Sequence, residues 1–396
     1  MSVIEVAEPF AGVNVCKSAR RWWFLTVTVI MLVTCGSIRQ LPVRASWESA
    51  HVHYQNLNEP YMEVPAMFGN TMMWAALTGD MNHPAPERLY TSDIRRFHPR
   101  VVVVSKPGNY LIDAHISLHW LVWIEQTGAG DWLLWAQNRR SNARNLIDSS
   151  AHVGLPPHPL LFPMISLDGD YLAWSLTTCT LSCDQRPGHE NWSARIVLQH
   201  LPSGLPRSVA NMHAPCSVSW PSLSSQFLAW HQEGKCDGHY GSDVVVLDRR
   251  ANSIRVLTRD HHSSEPSTNG RFIAWKNASD RLHDGTITLV DLQSGSRISA
   301  SGGTERCVMG RGVCAAEPVM SGSIVAWSEH SGENIVARDL KSGRRFVLAR
   351  ENARSTDGLK NGHIGPSSGR YVIWQSLRVT QDGLGRKSCI GLAEVP

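Results

Sequence analysis

A tryptophan that recurs along the chain at nearly regular intervals is the feature that most constrains the fold. The intervals are 45 to 56 residues, close to the length of a four-stranded propeller blade. Several of these residues follow a proline by nine positions, as in Pro266 and Trp275. The seven positions are Trp74, Trp123, Trp174, Trp230, Trp275, Trp327 and Trp374. The sequence therefore predicts an all-β fold, a β-propeller of seven four-stranded blades over residues 59–396.

The fifth unit shows the expected blade most clearly. Pro266 opens a first strand, Asn269 and Gly270 supply a turn, residues 271–276 form a second strand and residues 286–291 a third. Both faces of the second strand are apolar, as expected for a sheet that lies between two others. Each repeated tryptophan is therefore predicted to pack between neighbouring blades.

The last unit ends after its third strand, over residues 387–395, which would leave an open edge. Residues 39–58 lie between the N-terminal segment and the first blade. Within them, Trp47 to Leu57 is the candidate for a ring-closing fourth strand.

The N-terminus carries an uncharged apolar run, residues 22–38, directly after Lys17, Arg20 and Arg21. This order is typical of a signal peptide or membrane anchor, so residues 1–38 are assigned to export. The rest of the chain is expected to be membrane-anchored, periplasmic or extracellular. Residues 32–36 resemble a lipoprotein cleavage motif, with Thr34 where Gly, Ala or Ser is usual, which makes Cys35 a candidate for lipidation.

The repeated Ile-Ala-Trp strand is followed by Val-x-Asp-Leu-x-Ser-Gly, as at Asp291 to Gly295. These motifs resemble the repeat of TolB-type, WD-repeat-like bacterial β-propellers, and the resemblance covers the chain from about residue 60 onward. The resemblance implies a binding or accessory propeller, and it gives six blades as the alternative to the seven counted here.

Seven cysteines follow the N-terminal segment, and an exported chain permits disulfides. Their spacing favours local bridges over a metal site, because the intervals do not suit four tetrahedral ligands. The candidate pairs are Cys179 with Cys183, Cys216 with Cys236, and Cys307 with Cys314; Cys389 is left over.

Histidines concentrate in the loops that a propeller presents at one end of the ring. Such loops commonly carry the interaction surface, although a histidine is also a common polar loop residue. Asp260 to His262 with Glu265 is the densest group of potential ligands, and the first strands are expected to bring Glu265 and Glu317 to the central channel. The candidate residues are His189, His239, Asp260, His261, His262, Glu265, His283, Glu317, His330 and His363. No cofactor or metal is predicted.

Several motifs of common enzyme classes are absent from the sequence: there is no H-E-x-x-H, Walker loop or G-x-G-x-x-G after a strand. The net charge of +4 comes without a basic stripe, which argues against a nucleic-acid partner. We therefore expect a non-enzymatic scaffold at the cell envelope that binds a protein, a peptide or a glycan.

Two enzyme alternatives remain, both with a site at the mouth of the central channel. A glycan-cleaving propeller would need a pair of carboxylates there, for which Glu265 and Glu317 are available. A quinoprotein-like propeller would need a tryptophan-docking motif after Gly295 and Gly343, where Ser-Arg-Ile and Arg-Arg-Phe stand instead.

Overall fold

The computed structural model describes residues 48–57, 61–77, 87–151, 162–179, 192–278, 285–301, 315–329, 334–350, 359–379 and 386–396. The chain divides into residues 1–45 and a compact unit, Ser46–Pro396. The predicted export segment and Cys35 lie outside the described residues. Within those residues, we find no helix long and apolar enough to cross a membrane.

Seven antiparallel sheets follow one another along the chain, and we number them blades 1 to 7. The prediction of an all-β propeller with seven four-stranded blades is confirmed. Two strands precede the first blade: β1 (Glu48–Ser49) and β2 (His51–Asn56). Blades 1 and 2 contain β3 (Tyr61–Met62), β4 (Ala66–Phe68), β5 (Thr71–Leu77), β6 (Arg88–Asp93), β7 (Arg100–Val104), β8 (Tyr110–Ile116), β9 (Trp120–Gln126), β10 (Trp132–Asn138) and β11 (Arg144–Ser149).

The remaining blades continue the same meander. Blades 3 and 4 contain β12 (Ile165–Asp168), β13 (Tyr171–Cys179), β14 (Trp192–His200), β15 (Arg207–His213), β16 (Cys216–Leu223), β17 (Phe227–Lys235), β18 (Tyr240–Asp248) and β19 (Ser253–Val256). Blades 5 to 7 contain β20 (Ser263–Thr268), β21 (Phe272–Ala278), β22 (Gly285–Asp291), β23 (Arg297–Ser299), β24 (Ala315–Ser321), β25 (Ile324–Glu329), β26 (Asn334–Asp339), β27 (Arg345–Arg350), β28 (Leu359–Ser368), β29 (Tyr371–Val379) and β30 (Arg386–Glu394).

The repeated tryptophans lie between blades, as predicted, and all seven are at most 1% exposed. Each packs on the blade that precedes it in the ring. Trp174 of blade 3 packs against Val122 and Leu134 of blade 2, and Trp74 of blade 1 packs against Ile373 of blade 7. Because the last of these contacts joins the first and last blades, the series of indole rings runs around the whole ring.

The alanine that precedes several of these tryptophans has a matching role. Neighbouring residues of a strand face opposite sides of the sheet, so in Ala-Trp the alanine faces the next blade. Ala274 lies in the same buried cluster as Trp327, and Ala326 in the same cluster as Trp374. The small side chain leaves room for the indole of the following blade.

The chain segment before blade 1 supplies the outermost strand of blade 7 and so closes the ring. Strand β2 pairs antiparallel with β30, from His51 opposite Glu394 to Asn56 opposite Cys389, and is the outermost strand of blade 7. Strand β1 pairs parallel with β27 at the rim of blade 6. Blade 7 therefore has four strands, three from the C-terminal end of the chain and one from the N-terminal side.

The two ends of the ring carry different connections. On one side of the ring, the first strand of a blade turns into the second and the third into the fourth, as at residues 269–271 and 291–297. We call this side the hairpin end. We call entry end the opposite side, where the second strand leads to the third and each first strand begins. All connections at the hairpin end lie within the described residues.

Enlarging the alanine that receives an indole should weaken the ring. Ala274→Leu adds three carbons against Trp327, and overpacking of this kind costs about 1–3 kcal/mol of unfolding free energy. Ala251→Leu, at an exposed hairpin position, is the matched control and should change little. Urea unfolding of both variants measures the difference, and equal midpoints would contradict packing between blades as the main constraint.

Removing the ring-closing strand should also lower stability. A chain that begins at Asn58 lacks β1 and β2, so β30 loses its outer partner and the apolar side chains around Val52 lose cover. We expect the melting temperature to fall by about 10 °C relative to a chain that begins at Arg39. Identical melting curves for the two chains would show that the strand contributes nothing to closure.

Candidate functional site

A central channel of about 570 Å³ runs between the first strands of all seven blades. Serine side chains help to fix these strands: Ser222 Oγ accepts a hydrogen bond from Thr268 N at 3.0 Å, and Ser267 Oγ accepts one from Met320 N at 2.9 Å. Each bond joins the first strand of one blade to that of the next. The channel wall is therefore held by bonds across the blade boundaries.

The same position in blades 4, 5 and 6 has an uncommon backbone conformation. Trp220, Glu265 and Glu317 each precede a proline and have φ values of 58°, 53° and 53°. The pairing of the first strand with the second shifts at this point in all three blades, which identifies a β-bulge. A positive φ in a residue other than glycine costs roughly 1–3 kcal/mol, and such strain clusters at functional sites.

At the bulge, the Glu265 carboxylate contacts one residue of its own blade and one of the next blade. Lys276 Nζ donates to Glu265 Oε1 at 3.2 Å, and the Glu317 amide donates to Glu265 Oε2 at 2.9 Å. Glu265 was expected to face the channel, but the cavity is lined by Pro266 and Ser267 instead. Both of its oxygens accept hydrogen bonds, so Glu265 links blades 5 and 6.

His231, on β17, extends this network into blade 4. Its Nδ1 accepts a hydrogen bond from Glu265 N at 3.1 Å, and its Nε2 lies 2.8 Å from Ser219 Oγ. Because Nδ1 is an acceptor, Nε2 carries the proton and donates to the serine. Burial lowers the pKa of His231 to about 4, although the Glu265 carboxylate acts in the opposite direction.

Glu317 and His363 form the part of the network that opens to the channel. His363 Nδ1 donates to the two Glu317 carboxylate oxygens, which lie 2.7 and 2.8 Å away. This bond raises the pKa of His363 above its usual value, against a smaller effect of burial. Both residues line the cavity, and the His363 side chain is 63% exposed. Hydrogen bonds thus run from His231 through Glu265 and Glu317 to His363, across blades 4 to 7.

Trp220 provides an aromatic surface beside these polar groups. It lines the channel, is only partly buried and stacks on His231 with ring centroids 6.5 Å apart. In blade 2, Asp113 and His115 line the channel, and His115 Nε2 lies 3.5 Å from Asp113 Oδ1. With Asp168 and Glu317, an indole, three carboxylates and two imidazoles therefore line one cavity, an arrangement suited to a polar ligand that has one apolar face.

The other described candidates form a separate group between blades 4 and 5. His261 Nδ1 contacts Asp243 Oδ2 at 2.9 Å, and the His239 and His261 rings stack with centroids 5.2 Å apart. Asp260 accepts hydrogen bonds from Ser263 Oγ, Asn277 Nδ2 and the amide of His262. These contacts fix the connection into blade 5. Within the described residues, no group of three or more histidine, cysteine or acidic side chains could hold a metal ion.

Of the three predicted disulfides, only one has both cysteines within the described residues. The predicted Cys216–Cys236 disulfide is present, between the first two strands of blade 4. Cys179 is the last residue of β13, and its side chain lies outside the described part of the chain. The other predictions fall outside the described residues: His189, His283, His330, Cys183, Cys307 and Cys314.

Several residues of the network were not predicted from the sequence. Trp220 precedes Pro221 as Glu265 precedes Pro266 and Glu317 precedes Pro318, so alignment of the residue before proline could have found it. His231 directly follows Trp230, the repeated tryptophan of blade 4, but only the fold brings it to Glu265. Asp113 and His115 lie in the one first strand in which Ala114 replaces the aligned proline, so the pattern gave no signal for them.

Comparisons with known proteins support the fold. No protein-family model matches the chain, so the resemblance to TolB-type repeats is not confirmed. No curated protein matches it in sequence either.

Among solved structures, an oligogalacturonate lyase in complex with manganese has a TM-score of 0.55 and 11% identity, over 88% of this chain and 94% of that one. The β-propeller domain of the trilobed protease from Pyrococcus furiosus, described as having an open velcro topology, has a TM-score of 0.56 and 8% identity, over 81% and 90%. A prolyl endopeptidase has a TM-score of 0.56 and 10% identity over 85% of this chain, which spans 50% of that protein's length. The chain thus shares its propeller fold with enzymes, and at these identities the similarity shows the fold alone.

The lowered pKa of His231 predicts a dependence of stability on pH. In the unfolded chain the imidazole binds a proton near pH 6.5, whereas in the folded state it does so only near pH 4. Its contribution is therefore complete above pH 6.5 and is lost as the pH falls toward 4, by roughly 2–3 kcal/mol.

A comparison with His231→Gln isolates this effect, because glutamine keeps an acceptor and a donor but does not titrate. The difference in unfolding free energy between the wild type and this variant should shrink from pH 7 to pH 4.5, as measured with urea. His98→Gln, at an exposed position, is the control. A difference that does not change with pH would show that His231 is not held neutral.

Proposed function

We propose that this protein is an exported binding module and that its ligand, a neutral or amino-bearing glycan, occupies the central channel at the Trp220 side. The observation that carries the proposal is the combination of a partly exposed indole with carboxylates and imidazoles in one cavity. A sugar ring offers an apolar face to an indole and hydroxyl groups to planar acceptors and donors. Export and an envelope location rest on the N-terminal sequence.

Charge narrows the class of glycan. The described residues of the channel wall include Asp113, Asp168 and Glu317 but no lysine or arginine. Burial raises the pKa of Asp168 against the opposing charge of Arg249, and His363 contacts both carboxylate oxygens of Glu317. A polyanionic sugar would find carboxylates without a lysine or arginine in the wall to offset them. Neutral and amino sugars meet no such repulsion, and an ammonium group is also attracted to the indole face.

Binding without turnover is favoured over catalysis because the two glutamates already have partners. Glu265 is bound by Lys276 and by the Glu317 amide, and both Glu317 oxygens contact His363. A glycosidase needs one carboxylic acid that keeps its proton, usually in an apolar surrounding. These contacts instead favour two carboxylates that accept hydrogen bonds.

A glycan-degrading enzyme is the second candidate. The fold similarity to an oligogalacturonate lyase and the position of Glu317 in the channel wall support it. In that case, incubation with a glycan would release shorter products, and Glu317→Gln would abolish their release while retaining binding.

Replacing the indole should weaken glycan binding. The full-length protein in detergent is applied to an array of neutral, amino and acidic oligosaccharides, and the strongest binder is then titrated by calorimetry. Trp220→Ala should raise the dissociation constant about five- to thirtyfold, because an aromatic stacking surface contributes roughly 1–2 kcal/mol. Tyr240→Ala removes an exposed aromatic ring outside the channel and is the matched control. An array without binding, or equal affinity for the wild type and Trp220→Ala, would refute the proposal.

A further inference from the structure

The hairpin end of the propeller gathers basic side chains that are far apart in the sequence. The hairpin between the third and fourth strands of each of blades 1 to 6 carries exposed arginine. One representative from each hairpin is Arg96, Arg140, Arg207, Arg250, Arg297 and Arg344. We call this surface the arginine face. No basic stripe is visible in the sequence, because one hairpin is separated from the next by a whole blade.

The acidic residues of the same hairpins are largely turned toward the backbone. Asp93 Oδ1 accepts hydrogen bonds from the amides of Arg95 and Arg96, and Asp248 Oδ1 accepts them from Arg250 and Ala251. The carboxylates of Asp291 and Asp339 are buried and bind turn amides in the same way. The carboxylates fix the turns and keep their charge, but the six exposed arginines outnumber these four aspartates, so the hairpins carry a net positive charge.

Two of the hairpins are held firmly by a preceding arginine. Arg139 Nη1 donates to the carbonyl of Ser117 at 2.6 Å, and Arg249 Nη1 donates to those of Ser224 and Ser225 at 2.9 and 3.0 Å. In each case the next residue, Arg140 or Arg250, is exposed. One arginine therefore ties the hairpin to the neighbouring turn, and the following one presents its charge on a fixed support.

Large apolar side chains lie exposed at the same end. Leu205, in the hairpin of blade 3, is 89% exposed, and Leu118, in the first turn of blade 2, is 58% exposed. The phosphate backbone of a nucleic acid is bound by cationic and polar groups, so exposed leucines among the arginines would not contribute to binding it. At a membrane surface the cations meet lipid phosphates and the leucines enter the boundary of the acyl chains.

The described chain also begins at this end. Strand β27 starts at the hairpin end, and β1 runs parallel to it with Glu48 opposite Phe346. The apolar run predicted to enter the membrane ends at residue 38, and residues 39–47 cannot span more than roughly 30 Å. The arginine face is thus the side of the propeller from which the chain leads to the predicted membrane segment.

We propose that the arginine face docks on anionic phospholipid headgroups of the membrane that holds the N-terminal segment. The channel opening beside Trp220 then faces away from the lipid. This proposal depends on the hairpins and not on the glycan site, so either can fail without the other.

Energy transfer to the membrane tests the docking in the full-length protein. A fluorescent residue is introduced at Gln293 on the hairpin end, or at Asp237 on the entry end, and an acceptor is carried by labelled lipid. Vesicles contain phosphatidylcholine alone or with about one third phosphatidylglycerol. Docking predicts strong transfer from position 293 and weak transfer from position 237 with the anionic lipid, and loss of the strong transfer in neutral vesicles or about 0.5 M salt.

Charge reversal identifies the residues responsible. The backbone amides of Arg96, Arg140 and Arg250 donate hydrogen bonds within their turns, and replacing the side chains leaves these amides in place. The triple variant R96E, R140E and R250E should lower the docked-to-undocked ratio at least about a hundredfold. The control variant makes the same change in charge at three exposed residues of the entry end: K106E, R259E and R350E. This variant should still dock. Melting curves establish that both variants are folded.

Two outcomes would overturn the proposal. One is transfer from position 293 that is independent of anionic lipid, of salt and of the three arginines. The other is binding of a labelled DNA duplex that requires the same arginines while anionic vesicles have no effect, which would make the face a nucleic-acid site.

Discussion

Each repeated tryptophan lies between two sheets and contacts the preceding blade, and the rest of the structure depends on this contact. A four-stranded sheet has two faces to cover, and in a ring each face is covered by a neighbour. The indole fills that space in all seven blades, with exposure of at most 1%. A small residue opposite, such as Ala274, completes the fit. The first strands are thereby brought around a common axis, and the channel exists because the indoles set the distance between blades.

The fold could be predicted from the sequence because the tryptophan contact repeats. The Ile-Ala-Trp strand that ends at Trp275 and the turn at Asp291 to Gly295 have equivalents in other units. A wrong strand boundary in one unit therefore does not change the predicted fold. The Cys216–Cys236 bridge was also predictable, since it is local. The network from His231 to His363 was only partly predictable. It joins four blades through single side chains and backbone amides, and no periodicity marks His231 or Lys276. Glu265 was assigned to the channel wall, but the bulge turns it toward Lys276 and the Glu317 amide.

The two ends of the ring have distinct chemistry because they are built from different connections. Short hairpins need a residue that caps the turn, and Asp93, Asp248, Asp291 and Asp339 do this. Other positions of these hairpins are free of that requirement, and in blades 1 to 6 they include arginine. Toward the entry end, the bulged first strands place Trp220 and Glu317 at the cavity. A propeller of this kind can therefore use one end for attachment and the other for recognition without conflict in the sequence.

The pairing of β2 with β30 sets an order of events for the growing chain. Strand β2 is synthesised before blade 1, but its partner β30 belongs to blade 7, so the ring cannot be sealed until β30 has been made. Earlier blades can form and stack in the meantime, but blade 7 lacks its rim strand and the indole of Trp74 lacks the surface of blade 7 until that moment. Closure of the ring therefore has to wait for β30, whereas stacking of the earlier blades does not.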